Sequence, residues 1–369
     1  MMKFNLPYLT GKEVEYMQQA VHSRHTSGDG EFTKKCQNWF EKKFGFKKVF
    51  LTTSCTDALE IAALLIDIKE GDEVIVPSFT FVSTANAFLL RGAKIVFADS
   101  ENDTPNIDAK QIEKLITPKT KAILVMHYAG LPCNMPEIKK IADSNHLFLI
   151  EDAALALGSY VDGKLLGSFG HLSAFSFHET KNISCGEGGM IVINDERFLK
   201  RAEIIREKGT NRSAFFRGEI DKYGWTDIGS SYLPSDILAA YLWAQLEQYD
   251  FIQQTRKDIW NRYFEALLPL QTQGKVRITP KVEHANASIF YLVCESLEQR
   301  TELINYAKQK GVPLTFHYQA LHNSAFAKST TIAPNAERYS DTLIRLPLYP
   351  DLSNIEIDAI INCILAFYI

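Results

Sequence analysis

A lysine that bonds covalently to a carbonyl must be held rigidly and must be able to give up its proton. Lys181 stands in a stretch suited to both needs: Ser176-Phe-His-Glu-Thr-Lys181-Asn-Ile-Ser-Cys-Gly186-Glu-Gly188-Gly189. A β-rich run ends, the lysine follows in a loop, and glycines let the chain turn back into another β-rich run. Clustered glycines mark backbone that needs a positive φ or that approaches something closely. A lone lysine is most often a solvated surface charge, so Lys181 gains meaning only from what converges on it.

Asp152 closes the apolar run Leu147-Phe-Leu-Ile-Glu-Asp152. A carboxylate beside a pyridine nitrogen keeps that nitrogen protonated. A Schiff-base lysine with such a carboxylate points to pyridoxal 5′-phosphate (PLP), an aldehyde whose cationic ring withdraws electrons from a substrate carbon. An Asp at a strand end serves equally well as a turn or helix cap. Glu151 alternates to the other side of the run and is set apart from the site. For the phosphate, Thr53-Ser54-Cys55-Thr56-Asp57 links a strand to a helix start and offers backbone N–H groups with the Ser54 and Thr56 hydroxyls. A plain helix N-cap would use the same residues. Phe81, just beyond Pro77-Ser-Phe-Thr, can stack on a ring or simply fill a core.

These residues need a frame that gathers them. Strand-like runs fall at 48–52, 73–76, 94–98, 122–127, 147–151, 173–177 and 190–194, and most are nearly all apolar, as in strands buried on both faces. Helical patterns at 56–66, 82–90, 107–115 and 135–144 separate the early ones. This alternation predicts an α/β fold with a mainly parallel seven-stranded sheet and helices on both faces. Such sheets bind ligands beyond the C-terminal ends of their strands. Thr53–Thr56, 77–80, His127-Tyr128 and Asp152 all fall at such ends. Past residue 196 the pattern changes, with helices at 235–248 and 256–268, a strand at 288–294 and a helix at 299–310. The expected division is a large domain over 1–248 and a smaller α+β domain over 249–369.

Composition narrows the function classes. The chain has 369 residues, 46% apolar and 23% charged, which suits a globular protein with a large core. A net charge of −4 and the lack of a long basic run give no reason to expect a nucleic-acid partner. The N-terminus lacks the apolar core of a signal peptide, and no run approaches the roughly 18–20 apolar residues of a membrane span. A cytoplasmic protein is therefore expected. Cys36, Cys55, Cys133, Cys185, Cys294 and Cys363 are scattered without a CxxC pair, so neither a metal site nor a disulfide framework is expected. No G-x-G-x-x-G opens a βαβ unit, which argues against a nicotinamide oxidoreductase.

The chain resembles the sugar-nucleotide aminotransferases, a branch of the fold-type I PLP-dependent transferases. The matching blocks are Thr53-Ser-Cys-Thr-Asp-Ala-Leu-Glu60, Gly71 to Asn86, Glu151-Asp-Ala-Ala154, Phe175-Ser-Phe-His-Glu-Thr-Lys-Asn182 and Gly186-Glu-Gly-Gly-Met190. Within that branch, Arg206-Glu-Lys-Gly-Thr-Asn-Arg-Ser213 and Asp227-Ile-Gly-Ser-Ser-Tyr232 resemble enzymes that form dTDP-4-amino-4,6-dideoxygalactose from dTDP-4-keto-6-deoxyglucose, with L-glutamate as amino donor. The resemblance implies that Lys181 carries PLP and moves the proton, and that Asp152 pairs with the ring nitrogen. It gives the phosphate to Ser54, Cys55, Thr56, the Asp57 backbone and Ser176, and the ring face to Phe81. It also implies a homodimer with sites at the interface and a place in surface-polysaccharide biosynthesis. Related dehydratases carry a histidine at the Schiff-base position, and Lys181 argues against that activity.

Two positions depart from the family pattern. A partner-subunit segment that usually reads Gly-Tyr-Asn-Tyr-Arg here reads Gly229-Ser-Ser-Tyr-Leu233, so Ser231 takes the place of a phosphate-binding Asn. After Glu-Asp-Ala-Ala the usual Gln or His is Leu155, which cannot hydrogen-bond to the cofactor's O3′. These departures keep open a PLP-binding or sugar-nucleotide-binding protein without turnover. For the nucleotide diphosphate, Lys208, Arg212 and Arg217 are the candidates. A solvated loop accounts for them equally well. His178, His317 and His322 are further candidates for substrate contacts, each matched by a structural reading.

Overall fold

The structure, a computed structural model, describes residues 2–327 and 329–369. Thirteen strands are formed among them: β1 Val49–Thr52, β2 Glu73–Pro77, β3 Lys94–Ala98, β4 Thr120–Met126, β5 Phe148–Asp152, β6 Tyr160–Val161, β7 Lys164–Leu165, β8 Leu172–Ser176, β9 Gly189–Ile193, β10 Arg277–Ile278, β11 Tyr291–Val293, β12 Thr315–Phe316 and β13 Leu343–Arg345. The seven-stranded sheet has the order β1-β9-β8-β5-β4-β2-β3. Strands β3, β2, β4, β5 and β8 pair in parallel, and β9 runs antiparallel to both β8 and β1. A parallel connection needs a crossover of a dozen or more residues. The return from β8 to β9 instead folds back directly, with Phe177 N donating to Gly188 O and Cys185 N to Phe177 O, both at 2.8 Å.

Side-chain alternation divides the sheet's two faces. Ile123, Val125, Leu149 and Val192 join one apolar layer, with the helices Glu31–Phe44, Met135–Ser144 and Asp236–Glu247. Ala122, Leu124, Ile150 and Ile191 join the other, with Cys55–Leu65, Val82–Leu89 and Leu199–Arg206. Each fully buried aliphatic or aromatic side chain adds about 1.5–3 kcal/mol. The same alternation sends Glu151 and Asp152 to opposite faces.

Beyond the helix Tyr249–Thr272, a second sheet has the order β10-β11-β13-β12. Leu292 and Ile344 face an apolar cluster with Tyr263, Leu303 and Ile360. Tyr291, Val293 and Leu343 face the other way, toward Phe79, Tyr128 and Leu155 of the large-sheet part. That second face meets the strand ends of the large sheet.

Several expected elements differ in extent. The helix expected at 107–115 begins at Ala109, because Ile107 bridges to Ser100 and Asp108 caps the helix. The helix expected at 256–268 runs over Tyr249–Thr272, and the strand expected at 288–294 shortens to Tyr291–Val293. The helices Glu13–His22, Glu31–Phe44, Leu199–Arg206, Pro334–Thr342 and Asn354–Phe367 were not among those expected. No described helix is long and apolar enough to cross a membrane, and no described cluster of His, Cys, Asp or Glu could hold a metal ion.

Candidate active site

A cavity of about 560 Å³ opens at the C-terminal ends of the parallel strands, against the inner face of the second sheet. The strand ends supply Ser54–Thr56 after β1, Thr80, Phe81 and Ser83 after β2, Asp152 at the end of β5, and Ser176 with Lys181 after β8. One edge gathers them because those strands all run the same way.

Lys181 is held by its loop. Its N–H donates to His178 O at 2.9 Å, and Glu179 N–H to Gly186 O at 2.8 Å. Gly186 turns with φ +84°. The next residue, Asn182, is buried and donates to Gln253 Oε1 at 2.8 Å and to Asn286 O at 2.9 Å. Burial pushes the Lys181 ammonium below its ordinary 10.5; Cys55 and Asp152 oppose that shift, and the Arg345 charge adds to it. The lysine therefore releases its proton more readily than a surface lysine does.

Asp152 is buried and hydrogen-bonded. Thr84 Oγ1 donates to Oδ2 at 2.8 Å, and the Ala154 N–H to Oδ1 at 3.1 Å. A hydroxyl has one proton, so with Thr84 committed to the carboxylate, Thr80 Oγ1 is the donor in the 2.8 Å contact between the two threonines. Burial raises Asp152 above its ordinary 3.8, against the hydrogen bonds from Thr84 and Ala154 and the Lys181 charge. A cation placed against the carboxylate would offset that cost. Glu151 is spent elsewhere: it accepts from the N–H groups of Gly167, Phe169 and Gly170 at 2.6–2.7 Å and meets His127 Nε2 at 3.0 Å.

At the start of the helix Cys55–Leu65, Ser54 is the N-cap and accepts from Asp57 N at 3.0 Å. Ala58 N donates to Ser54 O. That leaves Cys55 and Thr56 as the N–H groups at the open end of the helix. The Asp57 N–H expected at the phosphate is thus already satisfied, and its carboxylate bonds to Thr53 Oγ1. Asp57 lies outside the cavity lining. Thr56 Oγ1 donates to Ser83 Oγ at 2.8 Å, and Ser176 Oγ accepts from His178 N at 3.3 Å. Burial pushes the Cys55 thiol well up, so it stays a thiol.

The other expected site residues separate into two groups. Phe81 and His178 line the cavity; Phe81 leans on Tyr318, and His178 Nδ1 meets Thr180 Oγ1 at 2.9 Å. His322 does not line it. Its Nδ1 meets Ser78 Oγ at 2.5 Å and its Nε2 meets Glu337 Oε1 at 3.0 Å, so it ties the turn after β2 to the helix Pro334–Thr342. Ser78 is fully buried, which denies this serine–histidine–glutamate line a substrate. Lys208, Arg212, Arg217 and Ser231 are exposed and outside the lining in the single chain. Arg217 pairs with Glu203 and Glu219, Arg212 lies over the Phe216 ring, and Ser231 bridges to Glu207.

Other cavity residues escaped the sequence reading. Thr84, on the helix Val82–Leu89 just outside the lining, carries no motif of its own and acts through its hydrogen bond to Asp152. Arg256, Asn286, Tyr318 and Arg345 come from distant segments that only the fold brings together. Leu155 also lines the cavity, packed with Met126 and Ile289, so an apolar wall stands where the resemblance implies a hydrogen-bonding side chain.

The donor set fits PLP: a deprotonable lysine for its aldehyde, a buried carboxylate with spare acceptor capacity for its ring nitrogen, and a helix start with three flanking hydroxyls for its phosphate. Residues 7–365 match the DegT/DnrJ/EryC1/StrS aminotransferase family. The chain is 35% identical to GDP-perosamine synthase of Escherichia coli O157:H7, over 98% of this chain and 97% of that protein. Among solved structures, the aminotransferase TlmJ of Streptoalloteichus hindustanus superposes with a TM-score of 0.91 at 27% identity, covering 100% of this chain and 99% of its own. The protein Spr1654 of Streptococcus pneumoniae, described as a sugar aminotransferase and solved in its PMP form, gives 0.92 at 26% identity with the same coverage. The chain belongs to the DegT/DnrJ/EryC1/StrS aminotransferase family and is a PLP-dependent sugar-nucleotide aminotransferase.

Proposed function

We propose that the enzyme aminates the 4-keto group of a nucleotide-linked 4-keto-6-deoxy sugar, with L-glutamate as amino donor. The specific reading is dTDP-4-keto-6-deoxyglucose converted to dTDP-4-amino-4,6-dideoxygalactose. It is carried by the blocks 206–213 and 227–232. A GDP-linked sugar is the second reading, favoured by the 35% identity to a GDP-perosamine synthase.

Bound PLP supplies an electron-withdrawing ring that carries the amino group from donor to acceptor. Lys181 would hold it through its aldehyde, and the free amine of Lys181 would take a proton from the donor's Cα and return one at the sugar's C4. Asp152 holds a proton at the ring nitrogen, and the Thr80–Thr84 pair fixes its carboxylate. Ser54, Thr56 and Ser176, with the N–H groups of Cys55 and Thr56, would hold the phosphate. Phe81, which leans on Tyr318, would lie against the ring. The active unit is a homodimer, in which Lys208, Arg212, Arg217 and Ser231 of one chain reach the cavity of the other. The expected place of the reaction is the supply of amino sugars for a surface polysaccharide.

The test is to incubate the PLP-loaded protein with L-glutamate and each of the dTDP- and GDP-linked 4-keto-6-deoxy sugars, and to identify products by NMR. An axial C4 amine on the dTDP sugar is expected. An equatorial amine would change the product, turnover of the GDP sugar alone would favour the second reading, and a K181A protein with full turnover would sink the mechanism.

A further inference from the structure

The N-terminal stretch forms one wall of the cavity. Phe4 and Asn5 both line it. Apolar neighbours seat the stretch at either end. Met2 and Leu6 pack against the cluster of Tyr263, Leu303 and Ile360, and Tyr8 packs against the layer on one face of the large sheet. Gln245 Nε2 donates to Tyr8 O at 2.8 Å. Between those anchors, Asn5 Nδ2 donates to Glu179 O at 3.2 Å, on the loop that carries Lys181. The Arg345 guanidinium carbon lies 4.9 Å from the centroid of the Phe4 ring.

That ring is the partner that orients Arg345. The arginine ends β13, and alternation from Leu343 sends it to the face of the second sheet that meets the cavity, which it lines. Its Nε is buried without a hydrogen-bond partner, and among the described residues no carboxylate pairs with it. The groups that act on its charge are the Tyr128 and Tyr318 phenols. An arginine side chain has many rotamers, and a planar guanidinium without a fixed partner settles on an aromatic face when one is offered. The attraction is strongest where water is excluded. Arg256, also in the lining, is held differently, by the carbonyls of Ala287, Ser288 and Leu348.

We infer that Phe4 is a positioning residue: its ring holds the Arg345 guanidinium in the cavity that Lys181 lines. The Arg345 charge, with burial, lowers the proton affinity of Lys181 against the opposing pull of Cys55 and Asp152. It acts in the same direction on His317, whose Nδ1 meets the Tyr128 hydroxyl at 2.6 Å. An arginine that swung out to solvent would lose that influence. Phe4 thereby helps to free the reacting amine of its proton. Coupling is reciprocal, so the ring can move the Lys181 titration by no more than its own hold on the guanidinium. The inference rests on Lys181 as the amine that binds PLP, and is independent of which sugar is aminated.

Phe4→Leu keeps apolar bulk and removes the ring face, whereas Phe4→Tyr keeps the face. Rebinding of PLP by each apo-protein is followed by stopped-flow absorbance against pH, alone and in an R345Q background, with no sugar or amino donor present. F4L should raise the midpoint by up to about 1.5 units, the whole of one desolvated cation–π contact. F4Y should stay at the wild-type value. R345Q should raise the midpoint too, and F4L added to it should change nothing further, because the two residues act as one unit. R345M takes the place of R345Q if that protein does not fold. An unchanged midpoint in F4L or in the Arg345 variant would overturn the inference. So would an equal rise in F4L and F4Y. A rise from F4L that persists in full beside R345Q would also overturn it, leaving the ring the plain role of excluding water.

Discussion

An amine attacks a carbonyl only after losing its proton, and the surroundings of Lys181 make that loss easier. Burial and the Arg345 charge lower its proton affinity, while Cys55 and Asp152 raise it. The neutral amine is the nucleophile and is populated above the folded pKa, so rebinding of PLP by the apo-protein should speed up as pH rises. The midpoint should lie below the ordinary lysine value of 10.5. Stopped-flow absorbance against pH measures it, and a midpoint at or above 10.5 would remove the case for a primed lysine. Sequence alone carried Lys181 and Asp152, because Asp152 closes one recognisable run and Lys181 stands in the glycine-rich loop after another. It could not find Thr84, whose hydroxyl matters only through its 2.8 Å contact with a carboxylate 68 residues away.

At the scale of elements, the site depends on how closely β9 approaches the helix start at Ser54. A Cβ on Gly189 would lie 2.4 Å from Cys55 N and from the Ser54 carbonyl carbon, both backbone atoms that cannot swing aside. Gly189→Ala should therefore push the phosphate-binding turn away from the sheet. We expect a loss of about 1–3 kcal/mol of stability, read by thermal melting, and weaker PLP retention, read by dialysis. An alanine variant with wild-type melting and cofactor content would show that the turn has room to move. The strands were legible because both faces of the sheet are buried, which writes nearly continuous apolar runs. The N-terminal helix was not, because it buries only Glu13 and Ala20, whereas the C-terminal helix carries a regular stripe of Ile357, Ile360, Ile361 and Ile364.

The single chain leaves part of its surface apolar. Phe81 lines the cavity yet is 54% exposed, and Phe216 and Trp225 in the segment after the helix Leu199–Arg206 are 69% and 84% exposed. The proposed homodimer would cover exposed aromatics of this kind. Under the proposed homodimer, sedimentation should give a two-chain species. Arg212→Ala should raise the keto-sugar KM roughly 10-fold or more and leave glutamate affinity unchanged, as for loss of one charged contact. A monomer with full activity, or an R212A protein with an unaltered sugar-nucleotide KM, would return Lys208, Arg212 and Arg217 to the role of a solvated loop.

By itself the sequence determined the seven strands of the large sheet, and it put Asp152 at the end of one run and Lys181 just after another. All of these follow from local periodicity and from residues at the ends of runs. Tertiary structure alone decided which distant groups close the cavity. Arg345 belongs to the site because β13 turns one face toward the large sheet. His322 leaves it because Ser78 and Glu337 hold both ring nitrogens. Asp57 leaves it because Ser54 caps its N–H. The periodicity of a chain fixes which way a side chain leaves its own element, whereas a site is made by what the other elements bring to meet it.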